Sequence, residues 1–130
     1  MRLTQSYSNS ANCSPTRTAL ITGRYQMRLQ VDLEEPINSG TPKTIGLPPS
    51  HPTLPSLLRT AGYGTSLVGK WHLGFLPDYS PLKSGCDRFF GIFGGAADYF
   101  NHGPDASRSG AEAYQLYEQE VPVESSGTAI

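Results

Sequence analysis

The sequence predicts an α/β fold, and three observations carry that prediction. A capped helical stretch beginning at Thr53 runs through a glycine turn into a short apolar strand ending at Gly69. A second helix start stands at residues 13–15, where a proline follows two small side chains. Hydrophobic residues make 37% of the 130 positions, enough to bury one modest core.

Taken in chain order, residues 2–8 alternate loosely and predict a short strand, after which Ser8 to Asn12 form a polar loop. Pro15 suits a first helical turn, with Ser14 or Cys13 as the cap, and Ala19, Leu20 and Gly23 predict a short helix stopping at Gly23. Between Gln30 and Ser50 prolines, glycines and polar residues predict an excursion over the surface. Thr53 then caps a helix with Pro55 in its first turn. Leu54, Leu57, Leu58 and Ala61 fall at i, i+3, i+4 and i+7, one apolar face, and Gly62 ends it. Tyr63 to Gly69 follows as a buried strand. The run Phe89-Phe90-Gly91-Ile92-Phe93 belongs to the core beside a glycine turn, and Tyr114–Tyr117 with Val121–Val123 predicts a hairpin whose edge strand tolerates Pro122. There is no internal repeat.

Ten Lys and Arg against eleven Asp and Glu leave a net charge of -1, so no global field attracts nucleic acid or an anionic membrane, and any anion site must be local. No run approaches a membrane span, and Met1 to Ser6 lacks the apolar core of a signal peptide, which leaves location open. Two cysteines permit one disulfide but not a disulfide-built scaffold. His51, His72 and His102 stand apart, with no CxxC or HExxH pattern to support a zinc site.

Two segments carry chemistry. The stretch Asn12-Cys13-Ser14-Pro15-Thr16-Arg17 continues to Thr22-Gly23-Arg24, and Gly62-Tyr63-Gly64 continues through Val68-Gly69-Lys70 to Trp71-His72-Leu73-Gly74. The first closely resembles the sulfatase signature and the second is similar to that family's second signature, in the same order along the chain. Thr53–Leu58, Gly85–Gly91 and Leu116–Glu118 are also similar to family segments, so the resemblance covers nearly the whole chain.

The resemblance implies part of an alkaline-phosphatase-like sulfatase domain, a central mixed sheet flanked by helices. Residues 1–130 would lack its first strand and its C-terminal part. It implies a sulfuric ester hydrolase in which Cys13 is oxidised to formylglycine (3-oxoalanine) by the formylglycine-generating enzyme. One hydroxyl of the aldehyde hydrate attacks sulfur; the other loses its proton as sulfate leaves. It assigns Arg17 to the hydrate, Lys70 to a sulfate oxygen, His72 to a hydrate hydroxyl and His102 to a loop bordering the sulfate ester. Calcium would be held by the residue formed at Cys13 and by carboxylates and an amide that this chain does not contain. A periplasmic, secreted or lysosomal setting goes with the family.

The residues themselves suit that chemistry. A sulfate ester repels an anionic nucleophile, so its site needs fixed positive charge and a strong nucleophile. A helix start at Cys13 points N–H groups at the anion, Arg17 lies one turn along, and Lys70 and His72 share one side if strand geometry continues past Lys70. Plainer readings exist for each. Cys13 alone would be a small buried hydrophobe, Lys70 a lysine lying along Trp71, His72 a satisfied core histidine and His102 a solvent-facing loop residue. Cys86 reads as core packing, Arg24 as structural and His51 as surface. Phosphonate monoester or phosphodiester hydrolysis on the same fold, and a non-catalytic remnant, remain open alternatives.

Overall fold

The computed structural model describes residues 2–38, 40–98 and 115–123. Helix α1 spans Cys13–Thr22, a single 3-10 turn follows at Gln26–Arg28, and helix α2 spans Leu54–Thr60. Four strands, β1 (Ser66–Lys70), β2 (Arg88–Ile92), β3 (Leu116–Glu118) and β4 (Val121–Pro122), form one sheet in the order β1-β2-β3-β4. The β1–β2 pair is parallel and the other two pairs are antiparallel, so the sheet is mixed.

Helix α1 starts one residue earlier than its proline suggests. Asn12, extended at φ -105° and ψ 151°, is the cap residue and makes no side-chain cap bond, while Cys13 is the first helical residue. Gly23 ends the helix in the left-handed region at φ 65°, donating its N–H to the Ala19 carbonyl. Helix α2 has the predicted cap in full. Thr53 Oγ1 accepts from the Ser56 N–H, and Ser56 Oγ accepts from the Thr53 N–H. Thr53 Oγ1 also donates to the Ser84 carbonyl at 2.5 Å, which ties the helix start to the loop before β2.

The core lies between the sheet and the loops around it. Leu33, Leu47, Trp71, Leu73, Phe89 and Phe93 are buried almost completely. Phe93 meets Phe89 and Tyr117 edge-on, at centroid separations of 5.1 and 4.9 Å, the arrangement ring quadrupoles favour. The hairpin β3–β4 forms as its sequence predicts, with Pro122 on the outermost strand.

Three expectations are corrected, and the setting of one further face is found. Residues 2–8 form no strand; no neighbouring strand among the described residues offers them a ladder, and Leu3 and Tyr7 stay exposed. The excursion from Gln30 to Ser50 is more than a surface loop, because it sends Leu33, Ile37 and Leu47 into the core. Strand β1 is an edge strand and largely exposed, with Val68 74% accessible. The apolar face of α2 faces outward, Leu54 and Leu57 being more than half accessible. No helix among the described residues is long and apolar enough to cross a membrane.

Candidate active site

The site begins where β1 ends. Beyond Lys70, where the parallel ladder ends, the N–H groups of Trp71 and His72 donate to the carbonyls of Ile92 and Phe93. His72 then takes a left-handed conformation at φ 59°, so strand geometry does not continue and Lys70 and His72 are not simple same-side neighbours. Trp71 is locked by its indole N–H, which donates to the Tyr79 carbonyl at 2.9 Å.

Helix α1 lies against this strand end through Arg17, whose Nη1 donates to the Lys70 carbonyl at 2.6 Å. The Lys70 ammonium donates to the Gly95 carbonyl at 2.8 Å. Arg17 and Lys70 are thus both held near the carboxyl end of β1, and both charges reach His72. Each keeps donors to spare, since an ammonium has three and a guanidinium five. Cys13 is one helical turn before Arg17 and half-buried, at the positive end of α1.

His72 is 2% exposed. Its Nε2 lies 2.8 Å from the Ile37 carbonyl, and its Nδ1 lies 3.3 Å from the hydroxyl of Ser14, the residue after Cys13. Burial lowers its pKa from 6.5 to about 4; the bond to the Ile37 carbonyl opposes this, and the charges of Lys70 and Arg17 lower it further. The imidazole is thus neutral at physiological pH, and the positive charge of the site belongs to Arg17 and Lys70.

Arg17, Lys70 and His72 are brought into one neighbourhood, with Cys13 joined to it through Ser14. His102 lies outside the described residues. Cys86 is buried and free, its thiol pushed up by burial and then by the Asp87 charge. Cys13 is also free, so the one disulfide the composition permits is not formed. Among the described residues no three His, Cys, Asp or Glu side chains cluster to hold a metal ion. A groove of about 390 Å³ between α1, α2 and β1 reaches Arg17 and Lys70 but not Cys13 or His72, and Leu20, Leu54, Leu58 and Leu67 make it apolar.

Sequence reasoning missed three participants. Ser14 carries no periodic signal, the Ile37 carbonyl is backbone in a segment read as surface, and the Gly95 carbonyl belongs to a glycine pair. Gly94-Gly95 did hold a usable signal, because a glycine doublet marks close backbone approach. A Cβ at Gly95 would stand 3.0 Å from His72 Nε2.

A mixed sheet with helices, two cations at one strand end and a cysteine-bearing helix start defines an α/β protein. The sequence model of the sulfatase family matches residues 1–115, and the chain belongs to that family. It is 40% identical over 111 residues to mouse arylsulfatase J, covering 83% of this chain and 18% of the relative. It is 46% identical over 89 residues to human N-acetylgalactosamine-6-sulfatase, covering 65% of this chain and 17% of the relative. Among solved structures, Ps i-CgsB in complex with k-i-k-neocarrahexaose superposes with a TM-score of 0.74 at 25% identity, over 90% of this chain and 28% of that one. The chain therefore spans less than a fifth of the length of these two curated relatives.

Proposed function

We propose that the protein to which this chain belongs hydrolyses sulfate esters at position 13, with Cys13 converted to formylglycine by a generating enzyme. The observation that carries this is the bond from Arg17 to the Lys70 carbonyl, which holds the helix that starts with Cys13 against the strand end that carries Lys70. A hydrated aldehyde at position 13 supplies two hydroxyl groups on one carbon, one to attack sulfur and one to release sulfate.

The remaining work falls to residues of this chain. Arg17 and Lys70 oppose the negative charge that keeps a nucleophile away from a sulfate ester. The Lys70 ammonium, anchored on the Gly95 carbonyl, has free donors for a sulfate oxygen. His72 stays neutral near them, and its two ring nitrogens are engaged by the Ile37 carbonyl and the Ser14 hydroxyl, so it adds no charge to the site. Calcium belongs to the family reading, but the described residues assemble no metal-binding cluster, so no step is assigned to it. His102 as a residue bordering the substrate is part of the same proposal.

The test is turnover of an aryl sulfate and the matched aryl phosphate by the full-length protein produced with the generating enzyme. Sulfate hydrolysis that Cys13→Ala abolishes is the expected result. Preference for the phosphate ester, or sulfate turnover that survives Cys13→Ala, contradicts it.

A further inference from the structure

Ser14 closes a small buried ring of hydrogen bonds. Its Oγ accepts the Ile37 N–H at 3.1 Å and stands 3.3 Å from His72 Nδ1, while His72 Nε2 stands 2.8 Å from the carbonyl of the same Ile37. Both side chains are essentially inaccessible, Ser14 at 0% and His72 at 2%. Water cannot substitute for a missing partner in so closed a space.

The proton positions follow from what each atom can do. A carbonyl only accepts, so the nitrogen facing Ile37, Nε2, carries the hydrogen. In a neutral imidazole Nδ1 is then bare and needs a donor. The Ser14 hydroxyl is that donor, and its lone pair is left for the Ile37 N–H. One side chain thereby satisfies the ring and the loop together, and it belongs to the residue bonded to Cys13.

We propose that Ser14 is a positioning residue: its hydroxyl holds His72 in one orientation and tautomer, and so sets where Cys13 stands relative to Lys70. Among the described residues the Ser14 hydroxyl has no partner besides His72 and Ile37, so it acts only through His72 and the helix start. Its backbone carbonyl adds to the anchoring, accepting from Thr18 Oγ1 at 2.9 Å one turn later. The consequence for turnover rests on the proposed function, but the ring geometry does not.

The test uses the full-length protein labelled with ring-15N histidine, with His72 assigned by the resonance that His72→Gln removes. Long-range proton–nitrogen correlation at neutral pH should show Nε2 protonated and Nδ1 as a hydrogen-bonded acceptor. Ser14→Ala should move the Nδ1 resonance toward that of an unbonded nitrogen, speed exchange of the Ile37 amide, and lower kcat about 10-fold with a smaller change in KM. If Ser14→Ala does not fold, Ser14→Cys, similar in shape but a weaker donor, should move Nδ1 in the same direction. A wild-type ring protonated on Nδ1 overturns the proposal. So does a ring resonance and an Ile37 amide unmoved by either substitution. These signals are read whether or not sulfate is released, so an unmoved ring and an absent turnover refute different statements.

Discussion

At the scale of single residues, His72 links the site to stability. Its pKa falls from 6.5 to about 4 on folding, so between those values the unfolded chain binds more protons than the folded one. Stability is complete above about pH 6.5 and is lost progressively as pH falls toward 4. The full effect is on the order of 3 kcal/mol at 1.4 kcal/mol per unit. Asp87, lowered by the backbone N–H and hydroxyl of Thr65, has the same sign but acts below the ordinary Asp value, outside this window. Urea melts of wild type and His72→Gln should show a wild-type slope between pH 4 and 6.5 that the variant lacks; equal slopes contradict the assignment. The sequence shows His72 as a candidate through its spacing after Lys70. It does not show the positive φ that turns the ring toward Ile37, because only the packing of residues 30–38 against the strand end selects that conformation.

At the scale of elements, glycine decides how closely β1 and β2 approach. Gly69 and Gly91 are paired across the parallel ladder, and a Cβ at position 91 would fall 1.7 Å from the Gly69 carbonyl oxygen. Backbone must move to admit it. Gly91→Ala should cost about 2–3 kcal/mol, whereas Gly64→Ala, with nothing within 4 Å, should leave stability nearly unchanged. Thermal unfolding of the two variants side by side checks this, and equal melting temperatures would refute the close-approach argument. The helices were legible because their signals are local: a capping threonine with a proline in the first turn at Thr53, and a stop glycine at position 23. The strand expected over residues 2–8 was not formed, since alternation fixes a strand only where a partner exists. The exposed face of α2 shows the same limit from the other side, for periodicity reveals that a face is apolar but not what covers it.

At the scale of the molecule, several large apolar residues are left uncovered. Leu20, Leu57 and Val68 are more than half exposed, and among the described residues the outer edge of β1 pairs with no strand. Such an edge associates nonspecifically. Val68→Lys should reduce concentration-dependent association of this 130-residue chain in light scattering, while an unchanged association constant would place the contact elsewhere. The α/β class and the order of helix, turn and strand were readable from pattern. The mixed sheet came with the family resemblance, since strand order depends on contacts between segments far apart in sequence. The same division holds for the site. Cys13, Arg17 and Lys70 stand out through the resemblance to the family's two signatures, but Ser14 and the carbonyls of Ile37 and Gly95 act through contacts that only the fold creates. The most direct measurement of the central claim is mass spectrometry of the peptide containing residue 13, after production with the formylglycine-generating enzyme. Conversion of the thiol to an aldehyde, lost in Arg17-containing peptides of Cys13→Ala, is the predicted result. A peptide that retains the unmodified thiol under those conditions contradicts the account.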